Sequence, residues 1–185
     1  MIGVRVLAVS GSLRPESHNS QLLRAARELA PETMEWDTYD ALITIPPFHG
    51  ERDDPDAPEA VEHWRDRLAA ADAVLFATPE YNGSVPGVLK NAVDWASTPF
   101  PDNVLRGKPV MVVGASTGAY GAMWAQADLR RILGITGARV LDGDLAVARA
   151  HEAFDEDGRL RSASQTERLS ELLGALAAES LPAAA

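Results

Sequence analysis

The sequence of 185 residues predicts a doubly wound α/β fold, in which helices cover both faces of a parallel sheet. Three nearly continuous apolar runs, at residues 4–9, 73–77 and 109–113, are typical of strands that are buried on both faces. Each run ends in a polar or glycine-rich turn, and each turn precedes apolar residues at helical spacing. Strand–helix units that repeat in this way predict a parallel sheet.

The remaining elements follow from weaker patterns between and after these runs. Alternation over residues 34–39 predicts a second strand, and residues 138–141 predict a short fifth strand. Apolar stripes predict helices over residues 22–30, 59–70, 85–97, 122–133 and 164–179. The charged segments 51–56 and 152–161 are predicted to be solvated loops. At this length we expect a single domain over residues 1–185.

Composition excludes several classes of function. The chain has 27 acidic and 17 basic side chains, a net charge of −10, so we expect no nucleic-acid partner. It has no cysteine, which excludes disulfides, thiolate zinc sites and dithiol redox chemistry. The longest apolar stretches are strand-sized, whereas a spanning helix needs about 20 residues, and the N-terminus lacks a signal-peptide pattern. We therefore expect a cytoplasmic protein without a membrane partner.

The first loop (residues 10–20, SGSLRPESHNS) links the first strand to the first helix. In such sheets, ligands bind beyond the carboxyl ends of the strands. Hydroxyls, an amide and a guanidinium at a helix N-terminus favour a phosphate ligand. The alternative is that Ser17 or Asn19 only caps its own helix. His18 is predicted to lie on the helix surface, with a contact to the phosphate as the alternative. The candidate phosphate-site residues are Ser10, Ser12, Arg14, Ser17, Asn19 and Ser20.

The second loop (residues 78–83) opens the long motif PEYNGSVPGVLKNAVDW. Its backbone amides are placed to bind the edge of a flat heteroaromatic ring, with Tyr81 as a stacking surface. The alternative is a tight turn in which Tyr81 only covers the core. Ser84 is predicted to cap the following helix. Glu80 is predicted to hold the loop or to form an intersubunit ion pair, with a catalytic acid as the less favoured hypothesis. Lys90 and Asp94 have the spacing of a helical ion pair, which forms within the helix or across subunits.

Together the two loops resemble the NADPH-dependent FMN reductase family, a flavodoxin-like group that includes quinone, chromate and azo-dye reductases. The resemblance lies in GSLRxxSxNS and in PEYNGSVPGVLKNAVDW, and the third loop (residues 114–122, GASTGAYGA) is also similar. It covers residues 4–133. The resemblance implies a flavodoxin-like five-stranded parallel sheet of order 2-1-3-4-5 with helices on both faces. It also implies a homodimer, often paired into a homotetramer, with helix 85–97 at the dimer interface.

The same resemblance implies FMN as cofactor and NADPH or NADH as electron donor. The FMN phosphate would be held by Ser12, Arg14, Ser17, Asn19 and Ser20. The isoalloxazine ring would be bordered by Pro79, Glu80, Tyr81, Asn82 and Gly83, and closed on its other side by Ser116, Thr117, Gly118 and Tyr120. Hydride would pass to flavin N5 and then to a quinone, free flavin, chromate or azo compound, so no catalytic side chain and no metal are expected. The alternative is a non-enzymatic FMN electron carrier of the flavodoxin type, which lacks the second-loop motif.

Overall fold

A parallel sheet forms the centre of the molecule in the computed structural model, which describes residues 3–50 and 57–181. The strand order is β2-β1-β3-β4-β5, with a sixth strand beside β4, so the predicted order is confirmed. The strands are β1 (Val4–Ser10), β2 (Met34–Tyr39), β3 (Ala73–Thr78), β4 (Pro109–Ala115), β5 (Arg139–Val140) and β6 (Ala146–Val147). The charged segment 51–56 lies outside the described residues.

The fifth position of the sheet is shared by two short strands rather than filled by the single strand predicted at residues 138–141. β5 pairs with the start of β4 and β6 pairs with its end. Between them the guanidinium of Arg130 donates hydrogen bonds to the carbonyls of Val112, at 2.9 Å, and Leu141, at 2.8 Å. The Arg130 side chain therefore satisfies carbonyls where the strand ladder is interrupted.

Helices cover both faces of the sheet, as predicted. They are α1 (His18–Leu29), α2 (Glu59–Ala70), α3 (Gly87–Ala96), α4 (Met123–Ile135), α5 (Ala150–Ala153) and α6 (Ala163–Ser180). α1 and α6 pack on one face, where they share a core cluster with Val6 and Leu75. α2, α3 and α4 pack on the other, with Leu7 and Phe76. Alternate residues of each strand therefore belong to the two core clusters on opposite faces of the sheet, which explains why these strands are apolar almost throughout. No helix among the described residues is both long and apolar enough to span a membrane.

The segment 152–161 is not the solvated loop that its charges predict. Its first residues belong to α5, and Phe154 and Leu160 are buried and form an antiparallel bridge. Both side chains belong to the core cluster beneath α1 and α6. Two apolar residues therefore anchor the segment, while Glu156, Asp157 and Arg159 remain exposed.

α3 begins later than predicted, and Ser84 is not its N-cap. Pro86 occupies the cap position, and the helix starts at Gly87. The Ser84 N–H donates to the carbonyl of Tyr81 at 3.2 Å, and its hydroxyl donates to Asp128 in α4 at 2.9 Å. Ser84 is thus the last residue of a tight turn and contacts a neighbouring helix. Within α3, Lys90 and Asp94 form the predicted ion pair, at 2.7 Å.

Candidate functional site

The carboxyl ends of β1, β3 and β4 meet around a small cavity of about 100 Å³. All three loops contribute to its wall, as their position in the topology predicts. Eight of the predicted site residues line it, and His18 and Ala115 join them. The eight are Ser12, Arg14, Asn19, Pro79, Glu80, Tyr81, Ser116 and Thr117. We call this space the strand-end cavity.

Three serines of the first loop hold the loop together instead of lining the strand-end cavity. Ser17 is the N-cap of α1, and its hydroxyl accepts a hydrogen bond from the Ser20 N–H at 3.0 Å. The Ser20 hydroxyl donates to that of Ser10 at 3.2 Å. The capping alternative is therefore confirmed for Ser17. Since the first N–H groups of a helix have no intrahelical partner, the capped α1 presents a positive end at the cavity.

Asn19 is buried and connects the first loop to the third. Its Nδ2 donates to the carbonyl of Ala115 at 2.9 Å, and its Oδ1 accepts from the Ala115 N–H at 2.9 Å. This paired contact joins the first turn of α1 to the end of β4. Asn19 is therefore a positioning residue for the two loops that form opposite walls of the strand-end cavity.

His18 shows that the strand-end cavity suits an anionic group. Its Nδ1 is buried and has no hydrogen-bond partner among the described residues. The ring lies parallel to that of Phe154, with centroids 6.4 Å apart, so His18 is half-buried on α1 rather than fully on the predicted helix surface. The guanidinium of Arg14 likewise forms no hydrogen bond or ion pair within the described part of the chain. A phosphate at this helix N-terminus supplies acceptors for both groups, so these residues fit the phosphate of FMN.

The second loop is a tight turn whose aromatic side chain faces solvent. Asn82 and Gly83 have φ angles of 53° and 76°, and the backbones of Tyr81 and Ser84 pair across them. Such a two-residue turn favours Asn-Gly because both positions need a positive φ. Tyr81 is 50% exposed, so it does not simply cover the core. A side chain at Gly83 meets nothing within 4 Å, and the space beside the turn is therefore open.

Glu80 holds the second loop against α4. Its Oε2 accepts hydrogen bonds from the backbone N–H groups of Trp124, at 3.0 Å, and Ala125, at 3.1 Å. Ala122, at the N-cap position of α4, offers no side-chain acceptor, so the carboxylate of Glu80 performs that role from another loop. This contact confirms the structural hypothesis for Glu80.

Glu80→Ala is expected to lower the free energy of unfolding by about 1–2 kcal/mol, because it removes the acceptor at the N-terminus of α4. Urea denaturation measures the change. Glu32→Ala is the matched control, since Glu32 is exposed and is expected to leave stability unaltered. Unchanged stability in Glu80→Ala together with lost activity would instead indicate a catalytic acid.

The third loop contributes Ser116 and Thr117 to the strand-end cavity, whereas Gly118 and Tyr120 do not line it. Ser116 accepts a hydrogen bond from the Gly118 N–H at 3.2 Å, and Thr117 and Gly118 are exposed. Tyr120 is 59% exposed, and its ring lies 4.8 Å from that of Trp124. Trp124 was not among the residues predicted for the site. It lies four residues after Tyr120, a spacing that places two side chains side by side on a helix.

Comparisons with known proteins agree with the fold and with the resemblance of the loops. The family model for NADPH-dependent FMN reductase matches residues 4–152. The chain is 42% identical to an NAD(P)H-dependent FMN reductase of Pseudomonas aeruginosa, over 94% of this chain and 93% of that protein. It is 43% identical to a 2-hydroxy-1,4-benzoquinone reductase of a Burkholderia species, over 71% and 70% respectively.

A solved structure extends the agreement to the whole fold. The FerB flavoenzyme NAD(P)H:(acceptor) oxidoreductase of Paracoccus denitrificans superposes with a TM-score of 0.83 and 34% identity, covering 96% of this chain and 97% of that one. The resemblance seen in the loops is confirmed. The chain belongs to the NADPH-dependent FMN reductase family of oxidoreductases, which use FMN as cofactor and NAD(P)H as electron donor.

Proposed function

We propose that the protein binds FMN at the strand-end cavity and reduces a small acceptor with electrons from NAD(P)H. Family membership supports the reaction, and one observation supports the location. The unpartnered Nδ1 of His18 and the unpaired guanidinium of Arg14 meet at the N-terminus of α1, beside the turns that follow β3 and β4. Within residues 3–50 and 57–181, no other pair of unpartnered cationic or imidazole side chains lies at the carboxyl ends of β1, β3 and β4.

The side chains of the cavity bind and orient the cofactor. Bound FMN supplies the redox chemistry, since it accepts hydride at N5 and returns two electrons to an acceptor. Arg14, Ser12 and the first turn of α1 hold the phosphate, and His18 donates to it. The second loop, from Pro79 to Gly83, and the third loop, with Ser116, Thr117, Gly118 and Tyr120, border the ring. Ser10, Ser17, Asn19 and Ser20 keep these loops in place.

A quinone is the acceptor that the site supports best. The open space at Gly83 and the exposed ring of Tyr81 offer a flat aromatic molecule room and an apolar face. Relatives of this chain include a 2-hydroxy-1,4-benzoquinone reductase and several quinone reductases. Steady-state assays with a benzoquinone, free FMN, chromate and an azo dye test the choice. A kcat/KM for the quinone below that for free FMN would contradict it.

The protein is a homodimer in this proposal, with a homotetramer as the alternative. An aromatic patch formed by Tyr81, Tyr120, Met123 and Trp124 is about half exposed, and it adjoins the strand-end cavity. Patches of this kind mark interaction surfaces. Light scattering after gel filtration measures the mass, and a monomeric mass would overturn this point.

We also propose a single domain, because both core clusters share one sheet, and a cytoplasmic location, where NAD(P)H is supplied.

Arg14→Ala is expected to weaken FMN binding about 10- to 150-fold, because a charged hydrogen bond contributes about 1.5–3 kcal/mol. Titration of the apoprotein with FMN, followed by flavin fluorescence, measures the change. Arg5→Ala is the matched control, because Arg5 is an exposed arginine near the amino end of β1. Equal affinities for FMN in the Arg14 variant and the native protein would remove Arg14 from the site.

The electron-carrier alternative is tested separately. Anaerobic mixing of the FMN-loaded protein with NADPH is expected to bleach the absorbance of oxidised flavin. A loaded protein that stays oxidised with both NADPH and NADH would favour the carrier.

A further inference from the structure

A second and larger cavity, of about 560 Å³, lies between α1 and the end of β2. We call it the α1–β2 cavity. One wall is a single face of α1 that carries Leu23, Arg24 and Arg27, and the opposite wall includes Trp36 and Tyr39. β2 is an edge strand, and within the described part of the chain no helix lies beside α1 on that side to close the groove. The volume falls within the range of small-molecule sites, about 300–1,000 Å³.

The α1–β2 cavity has an excess of positive charge. Among residues 3–50 and 57–181, Arg14, Arg24 and Arg27 line it, and Asp40 is the one acidic residue on its wall. None of these three guanidiniums forms a hydrogen bond or an ion pair within residues 3–50 and 57–181. Arg67, by contrast, is paired with Asp37, and Arg159 with Glu28. In a chain with a net charge of −10, three unpaired guanidiniums around one cavity favour an anionic ligand.

The same cavity has an aromatic wall. Trp36 is half-buried and presents a ring suited to stacking on a flat heterocycle. Tyr39 borders the cavity, but its ring packs against Trp64 in the core on the opposite face of the sheet, with centroids 4.6 Å apart. The cavity therefore combines cations with a stacking surface.

We propose that the α1–β2 cavity binds the phosphorylated adenosine of NADPH, with Arg24 and Arg27 on its 2′-phosphate and Trp36 against its adenine. Ser12 and Arg14 line both this cavity and the strand-end cavity, so the two sites are continuous around the first loop. One dinucleotide thereby occupies the α1–β2 cavity with its adenosine while its nicotinamide reaches the flavin. The assignment rests on the proposed function. It makes Arg24 and Arg27 the residues that discriminate NADPH from NADH.

The test uses the FMN-loaded full chain and 2′,5′-ADP as probe. Titration calorimetry is expected to show binding of 2′,5′-ADP, and the double variant Arg24→Ala/Arg27→Ala is expected to weaken it about tenfold or more. The same variant is expected to raise the KM for NADPH by a similar factor, with little change in the KM for NADH or in kcat. The double variant Arg5→Ala/Arg131→Ala removes the same charge at exposed positions away from the cavity and is expected to bind the probe normally.

Three results would overturn the proposal. The first is native protein that binds no 2′,5′-ADP, and the second is equal affinity for the probe in the Arg24/Arg27 variant and the native protein. The third is binding that the variant loses but that does not compete with NADPH, which would assign the cavity to a separate nucleotide. Failure of the proposed function is distinguishable, because it would appear as absent FMN binding or absent bleaching, whereas the 2′,5′-ADP titration can also be carried out on the apoprotein.

Discussion

Gly121→Ala is expected to lower the free energy of unfolding by about 2–6 kcal/mol, the combined cost of backbone strain and overpacking. Gly121 has a φ of 58°, a conformation that side-chain-bearing residues rarely adopt. A Cβ there would lie 2.5 Å from the carbonyl carbon of Ala146 and 2.8 Å from the Ala148 nitrogen. These are backbone atoms in and beside β6, so no side-chain rotation relieves the contact.

The substitution Gly121→Ala is also expected to affect the site, because Gly121 belongs to the third loop. Displacement of this loop is expected to weaken FMN binding at temperatures where the variant is still folded. Gly83→Ala is the matched control, since Gly83 has a φ of 76° but nothing lies within 4 Å of its Cβ position. That control is expected to lose only about 1–2 kcal/mol. Urea denaturation of both apoproteins gives the comparison, and equal losses in the two variants would contradict the steric argument.

Asn19→Ala is the second variant with a large expected effect, a loss of about 2–6 kcal/mol in the free energy of unfolding. The substitution leaves both the N–H and the carbonyl of Ala115 unsatisfied in a buried position, at about 1–3 kcal/mol each. It also frees the end of β4 from α1. FMN affinity is therefore expected to fall as well, since the two loops that enclose the strand-end cavity lose their connection.

Asn91→Ala separates stability from binding. The amide of Asn91 also bridges backbone groups, accepting from the Phe48 N–H at 2.8 Å and donating to the Pro46 carbonyl at 3.0 Å. Its contacts lie away from the three loops, so Asn91→Ala is expected to lower stability with unchanged FMN affinity. Denaturant titration and FMN titration on both variants test the distinction. An Asn19 variant that loses stability and binds FMN normally would show that the contact with Ala115 does not shape the site.

Much of the site could be predicted because, in a parallel sheet, the loops that follow the strands lie at the same edge. The apolar runs at β1, β3 and β4 identify buried strands, and the carboxyl ends of adjacent parallel strands lie at one edge of the sheet. The polar loops that follow those runs therefore converge whatever their detailed conformations. The type of residue in the first loop then indicates an anion, because a helix N-terminus follows it.

The partners of several loop side chains could not be predicted, because each partner is distant in the sequence. The Nδ1 of His18 is buried on the side of α1 where its ring faces that of Phe154, and Glu80 accepts two hydrogen bonds from α4, which lacks a capping side chain at Ala122. Ser84 and Asn19 are engaged by Asp128 and Ala115 in the same way. Local periodicity contains no information about such contacts.

The sequence by itself determined the fold class, the strand order through the family resemblance, and the edge of the sheet that carries the site. Hydrophobic periodicity and loop chemistry are local properties, and they suffice for the fold class and for the edge that carries the site, whereas the strand order is implied by the resemblance. Only the tertiary structure divided the fifth strand around Arg130, separated the residues that line the strand-end cavity from those that support it, and placed Arg24 and Arg27 opposite Trp36. Those outcomes depend on how elements pack across the edge of a sheet, which no single segment encodes.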